Sequence, residues 1–317
     1  MPDSVGELGE FGLIGAVTAR LPQGPDVLLG PGDDSAVVAA PDGRVVVTTD
    51  LLVENRHFRR DWSDAVDIGH KAAAQNLSDI EAMGARPTSL VVGLGVPADL
   101  PVSWALGLAS GLGDEAALVG ASVVGGDVVR SPLVVVSVTA LGSLDGGPAV
   151  TRSGARPGDV VAVCGRLGWA EAGYQVLSRG FRTPRAVVEA HRRPAVPYGA
   201  GVEAASLGAT AMCDVSDGLL GDLGHVAVAS GVVIDVSASA VTVAPQLKEV
   251  ASALGADPLS WVLTGGDDNA LVACFPAEVS LPERWTVIGV VSSGEPGVTV
   301  DGASYGSAGG HDHFAGS

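Results

Sequence analysis

The chain has 317 residues, 47% hydrophobic and 17% charged, so a sizeable core is expected and extensive disorder is excluded. Its 36 acidic residues against 18 basic ones give a net charge of -18, a poor match for a nucleic-acid backbone or an anionic membrane surface. The three cysteines form no CxxC pair, the first twenty residues lack a basic segment followed by an apolar run, and no apolar stretch reaches the length of a membrane span. A soluble cytoplasmic protein without disulfides is therefore expected.

In chain order, Leu8–Arg20 reads as a helix with Leu13, Ala16 and Val17 on one face. Val27–Leu29 is a short strand, broken by Gly30-Pro31-Gly32-Asp33-Asp34. The apolar run Ala36–Ala40 and the β-rich run Arg44–Leu51 flank Asp42-Gly43, a hairpin signal. Asp64–Met83 reads as a helix on the spacing of Ala73, Leu77 and Ile80, stopped by Gly84 and Pro87. A buried strand, Ser89–Val96, and a helix, Val102–Leu118, follow. Ala121–Val124 and Leu133–Leu141 read as strands separated by a polar stretch around Gly125-Gly126-Asp127.

Between residues 143 and 158 the composition shifts to Gly, Pro, Ser and Arg, which places a domain boundary near residue 148. The two expected domains are 1–147 and 148–317. In the second, Asp159–Cys164, Ala211–Val215, Val232–Val236, Leu271–Cys274 and Thr286–Val291 read as strands. Trp169–Leu177, Pro184–Arg192 and Leu219–Ala229 read as helices, and the tail from Gly294 to Ser317 is rich in Gly and Ser. Strands and helices alternate in both halves, so the fold class is α/β (α+β), with mixed sheets and packed helices in each of two domains.

The chemical signal is a repeated one. Aspartates stand at the ends of apolar runs or in Gly-rich turns: Gly32-Asp33-Asp34, Thr48-Thr49-Asp50, Asn76-Leu77-Ser78-Asp79, Gly125-Gly126-Asp127, Asp214-Val215-Ser216-Asp217 and Gly265-Gly266-Asp267-Asp268. One such turn alone is ordinarily just solvated. Six of them, brought together, would need several divalent cations to offset their repulsion. Carboxylate and hydroxyl oxygens are hard donors suited to Mg²⁺, which also binds phosphate. No G-x-x-x-x-G-K-[ST] loop and no protein-kinase signature set is present. With only Lys71 and Lys248 as lysines, metals would carry most of the neutralisation of a phosphorylated substrate, with help from arginines such as Arg152. Lys71 reads as a surface helix lysine or a phosphate contact, and Asp222 as solvated or a local cap. His191, Arg192 and Arg193 form the densest basic patch, facing either solvent or phosphate.

These segments resemble the thiamine-monophosphate kinases, a family of the superfamily that includes the aminoimidazole-ribonucleotide synthetases and selenophosphate synthetases. The resemblance runs from Gly9-Glu10-Phe11-Gly12 through Asn55-Arg56-His57-Phe58, Asp67–Ala72 and Asn76–Ala85. It continues through Thr151-Arg152-Ser153-Gly154 and Asp214–Leu219 to Asp312-His313-Phe314. It implies an aminoimidazole-ribonucleotide-synthetase-like fold and an ATP-dependent phosphorylation of thiamine monophosphate to thiamine diphosphate. It further implies direct in-line transfer, several Mg²⁺ ions, and a homodimer whose first domain carries much of the nucleotide site and the dimer contact, with the second closing over it. Carried over by motif, Asp34, Thr48, Thr49, Asp50, Asp79, Asp127, Asp214 and Asp217 would bind metal. Gly126, Asp127, Arg152 and Ser216 would meet ATP, and His57, Asp267 and His311 the acceptor. No general base is implied, because the acceptor oxygen is already anionic. Two departures fall on the acceptor side. The family's Gly-Gly-Glu-Asp-Tyr-Glu reads Gly265-Gly266-Asp267-Asp268-Asn269-Ala270 here, and its tail aromatic is replaced by His311.

Overall fold

The computed structural model describes residues 3–31 and 35–306. The chain forms two compact units, Met1–Ile80 with Ala85–Gly147, and Glu81–Gly84 with Pro148–Ser317. The architecture is the expected α/β one, with mixed sheets and packed helices in each unit.

The first unit contains α1 (Val5–Leu8), α2 (Glu10–Thr18), β1 (Val27–Leu29), β2 (Val37–Val38) and β3 (Val46–Val53). It continues with α3 (Ala65–Ala82), β4 (Arg86–Val96), α4 (Val102–Ala117), β5 (Ser122–Arg130) and β6 (Val135–Ser143). Its main sheet has the order β3-β6-β4-β5, with β4 and β5 parallel and the other pairs antiparallel. A parallel pair needs a crossover, and α4 supplies it. Burial alternates along β6: Val136, Val138 and Ala140 are buried while Ser137 and Thr139 are half-buried. One face of the sheet therefore packs on the helices and the other is open. α3 and α4 cross where both present glycine. A Cβ on Gly69 would stand 2.8 Å from Leu112 N, and one on Gly111 3.0 Å from His70 N.

The second unit contains β7 (Val160–Cys164), α5 (Trp169–Ser178), α6 (Arg185–Arg192), α7 (Ala200–Ser206), β8 (Ala211–Val215) and α8 (Leu219–Ser230). It continues with β9 (Val233–Val236), α9 (Pro245–Leu254), α10 (Pro258–Thr264), β10 (Ala270–Phe275), β11 (Trp285–Ser292) and β12 (Gly297–Val300). The sheet order is β12-β9-β11-β7-β10-β8, parallel only between β9 and β12. β10 is buried along its whole length. With few aromatics available, the core relies on Ala, Val and Leu around one edge-on pair, Phe275 and Trp285, at 5.3 Å. All three cysteines are buried and free.

Several expected elements differ. The helix expected over Leu8–Arg20 is broken at Gly9, whose φ of 75° interrupts the helical path, and it ends at Thr18. The Asp42-Gly43 turn exists, but it joins no hairpin: β2 pairs with β1, and β3 pairs with β6. Gly125-Gly126-Asp127 lies inside β5 rather than between strands. There β5 and β4 approach so closely, beside a register shift, that a Cβ on Gly126 would stand 2.8 Å from the Val92 carbonyl carbon. The helices α7, α9 and α10 and the strand β12 arise where the sequence reading placed no element.

Candidate active site

In the first unit, the period of two along β3 separates Thr48-Thr49-Asp50. Thr48 and Asp50 face α3. The Thr48 hydroxyl donates to Asp79 Oδ2 at 2.6 Å, and the Asp50 N–H donates to Asn76 Oδ1 at 3.0 Å. Asn76 is itself fixed, donating from Nδ2 to the Ala72 carbonyl one turn back at 3.0 Å. α3 thus delivers Asn76 and Asp79 on one side, three residues apart, to a strand edge that supplies a hydroxyl and a carboxylate.

Thr49 points to the other face of the sheet. It donates to the Val138 carbonyl at 3.0 Å and accepts from the Thr139 hydroxyl at 3.1 Å. Asp127 lies on that same open face, opposite Gly93, at the rim of a shallow cavity of 410 Å³ also lined by Gly95, Arg130, Ser131 and Ser137. Of the metal positions expected in this unit, the structure brings together Thr48, Asp50 and Asp79, and it puts Thr49 and Asp127 across the sheet from them. Asp34 and the acceptor residue His311 lie outside the described residues.

His57 stands on a tight turn after β3. Its Nδ1 accepts the Val53 N–H at 3.0 Å, and its own N–H donates to the Val53 carbonyl at 3.0 Å. With Nδ1 accepting, the neutral ring carries its proton on Nε2. Asn55 takes a φ of 67°, a conformation Asn tolerates. Buried Glu54 closes the turn, accepting from the Val134 N–H at 3.0 Å and pairing with Arg60 at 2.6 Å. Lys71 is 4% exposed, not a surface lysine, and its ammonium donates to the His57 carbonyl at 3.5 Å.

In the second unit, Asp214, 4% exposed, is the penultimate residue of β8, which runs on into Ser216-Asp217-Gly218 ahead of α8. Asp222 is buried rather than solvated. Its Oδ2 accepts the N–H groups of Ser216, Asp217 and Gly218. Burial pushes its carboxyl up to about 7, aided by the charge of Asp217 and opposed by those N–H donors and by Arg152. Asp217, Asp222 and His225 bring ligand atoms within 4.8 Å of one another. Exposed Arg152 sits on a loop whose carbonyl accepts from Ser230 on α8 at 3.0 Å. Asp267 is exposed, with a φ of 65°, and its N–H donates to the Ser216 carbonyl at 2.8 Å. The Asn269 N–H donates to the Val215 carbonyl at 3.0 Å, so the Gly265–Asn269 loop is fastened to the end of β8 and the Ser216–Gly218 turn after it. Asp268 is buried and holds the start of α5 by accepting the N–H groups of Gly168 and Ala170; burial pushes its carboxyl up to about 7. Ala270 is fully buried, and a Cβ on Gly165 would lie 2.9 Å from its methyl. An acid at position 270 would have no room in this packing.

The donor set fits Mg²⁺ chemistry: hard carboxylate and hydroxyl oxygens, some in contact and held by backbone donors, with no thiolate among them. Reading the sequence alone missed Asn76 as a support, Glu54 as the clamp of the His57 turn, and His225 in the cluster with Asp217 and Asp222, while the local-cap reading of Asp222 holds. For Asp222 a signal existed, an acid four residues after the glycine that opens a helix.

Comparison with known proteins identifies the family. Residues 32–144 match the family described as AIR synthase related protein, N-terminal domain. The chain is 52% identical over 300 residues to the thiamine-monophosphate kinase of Mycobacterium tuberculosis, covering 94% of this chain and 90% of that protein. It superposes on the crystal structure of thiamine-monophosphate kinase from Stenotrophomonas maltophilia K279a with a TM-score of 0.81 and 35% identity, covering 92% of this chain and 96% of the other. The TM-score is 0.78, at 32% identity, on AaThiL complexed with AMPPCP and TMP, covering 97% and 98%.

Proposed function

This chain belongs to the thiamine-monophosphate kinase family and is an ATP-dependent kinase of thiamine monophosphate; we propose that it moves the γ-phosphoryl group of ATP directly, in line, onto the acceptor's phosphate to give thiamine diphosphate and ADP. The observation that carries this reading is the junction of β3 and α3. Thr48, Asp50 and Asp79 are gathered there by the Thr48–Asp79 and Asp50–Asn76 hydrogen bonds, in a chain that is itself strongly anionic.

Two anionic phosphates must meet for the transfer, so repulsion is the main obstacle and positioning supplies much of the rest. Thr48, Asp50 and Asp79 in the first unit, and Asp214 and Asp217 in the second, are the residues we assign to Mg²⁺. When bound, the cations would neutralise phosphate charge and stabilise it on the transferring group. His57 presents Nε2–H as a donor to the acceptor's phosphate, and Arg152 and Ser216 contact the nucleotide. Gly126 lets β5 run close against β4, and Asp127 beside it lies at the edge of the open face. Asp267, held exposed in the left-handed region, contacts the acceptor's other end. No residue needs to take a proton, because the attacking oxygen is already ionised.

A homodimer completes the proposal. The open face of the first unit's sheet carries Val47, Leu51 and Val129 at 63%, 48% and 54% exposure. Apolar residues on one sheet face call for a cover, and a second copy of the same face would supply it. The kinase reading is tested by incubating the purified protein with ATP, Mg²⁺ and thiamine monophosphate. ADP and thiamine diphosphate, identified by mass, should form one to one. ADP release without thiamine diphosphate would refute it.

A further inference from the structure

Asp222 is the fourth residue of α8 and only 2% exposed. One of its oxygens, Oδ2, accepts three successive backbone N–H groups, from Ser216 and Asp217 at 3.0 Å each and from Gly218 at 3.1 Å. Successive N–H groups converging on one point ahead of a helix form an anion receptor, an arrangement able to seat a phosphate. Here the chain fills that receptor with its own carboxylate. A substrate phosphate is therefore excluded from that spot, and the turn before α8 is tied to a residue inside the helix. The far side of the turn is tied as well, by Asp267 N–H on the Ser216 carbonyl at 2.8 Å. A turn held on both sides has few conformations left to lose when a ligand arrives.

Resting on the reading above, in which Ser216 and Asp217 serve the nucleotide and its cation, we propose that Asp222 is a positioning residue whose Oδ2 presets the Ser216–Gly218 turn for a magnesium nucleotide. The competing role is that of a direct cation ligand, since ligand atoms of Asp217, Asp222 and His225 lie within 4.8 Å. The two roles separate on substitution. Asp222→Asn keeps an acceptor oxygen for the three N–H groups but loses the charge. Asp222→Ala loses both.

The test uses the full chain and two readouts. In the ligand-free protein, amide exchange at residues 216–218 should accelerate about 100-fold in Asp222→Ala and by less than about tenfold in Asp222→Asn. By calorimetry, the Kd for Mg²⁺ with a non-hydrolysable ATP analogue should rise about 30-fold in Asp222→Ala and less than about fivefold in Asp222→Asn. Asp159→Asn controls for general destabilisation. That carboxylate is also buried, accepting from Arg156 N–H at 2.9 Å and the Thr210 hydroxyl at 2.6 Å, and its loss should leave the affinity unchanged. Unaltered exchange in Asp222→Ala overturns the proposal, whatever the nucleotide does. Equal weakening by Asn and Ala overturns it in favour of a charge or ligand role, and a matching loss in Asp159→Asn overturns it in favour of plain destabilisation. A wild-type protein that fails to bind the magnesium nucleotide would count against the kinase reading instead, with the exchange result still deciding the role of Asp222.

Discussion

The crossing of α3 and α4 should be intolerant of a single methyl group. A Cβ on Gly111 would stand 2.9 Å from the Val66 carbonyl carbon, closer still to its oxygen, and 3.0 Å from His70 N. These are backbone atoms and cannot rotate away. Restoring ordinary contact requires the helices to separate by about 1 Å, enough to forfeit a quarter to a half of the dispersion energy at each neighbouring contact. Overpacking of this kind costs about 1–3 kcal/mol, and with backbone on both sides the upper end applies. The better helix propensity of Ala offsets about 1 kcal/mol of it. Gly111→Ala should therefore destabilise by about 2 kcal/mol. Gly224→Ala in α8, where an added Cβ meets nothing within 4 Å, should stabilise by about 0.5–1 kcal/mol. Urea unfolding of both variants, with amide exchange to localise the loss to α3 and α4, checks the pair. Because α3 carries Asn76 and Asp79, Gly111→Ala should also raise the Mg²⁺ concentration needed for activity. A Gly111→Ala protein as stable as the wild type, or a Gly224→Ala protein equally weakened, would refute the close-approach argument.

Further outcomes follow from the residues of each unit taken separately. Asp79→Asn should lower kcat by about 100-fold or more while leaving the melting temperature within a few degrees, because the lost charge serves a ligand rather than the core; a fully active variant would remove Asp79 from the cation set. His57→Gln places an amide nitrogen near the position of Nε2 and should keep the acceptor KM within about threefold, whereas His57→Asn, which mimics Nδ1, should raise it about tenfold with the KM for ATP unchanged. The reverse order would mean the wrong nitrogen has been assigned as the donor. Asp222 and Asp268 are both pushed up to about 7 by burial, against an unfolded value near 3.9, so the folded state holds more protons between those limits. Their contribution to stability is full below about pH 4 and declines as pH rises through about 7. Asp268→Asn should therefore flatten the fall of melting temperature between pH 4.5 and 7.5, as read by differential scanning fluorimetry at constant ionic strength; an unchanged slope would show that Asp268 keeps its ordinary titration when folded.

What could be read from the sequence divides along the range of the interactions. The helix α3 and the buried strands β4, β8 and β10 are written in local apolar patterns, and Asp79 and Asp214 fall in the last turn of α3 and at the penultimate residue of β8, while Asp50 lies inside β3. Pairing partners are a different matter. Asp42-Gly43 has the residues of a hairpin turn, yet β3 forms eight residue pairs with β6, about ninety residues away, and no local signal can encode that choice. The same gap explains Thr48-Thr49-Asp50. Three adjacent ligand-type residues look like one cluster in the sequence, but strand geometry sends Thr49 to the open face, toward Thr139, and leaves Thr48 and Asp50 facing α3. For Asp222 the local-cap alternative is the one the fold adopts, and Lys71 is buried rather than at the surface; a charged residue is expected outside unless a partner is known, and their partners, three N–H groups preceding the helix and a carbonyl on a turn fourteen residues back, exist only once the chain has folded. The departures at Asn269 and Ala270 then have a physical reading. Both residues are buried, and Ala270 lies against the Gly165 backbone, so this stretch of the Gly265–Ala270 segment is core, while Asp267 remains exposed. In the function proposed above, this loop meets the acceptor through Asp267 and the backbone that holds it to Ser216, and so through the same turn that Asp222 fixes.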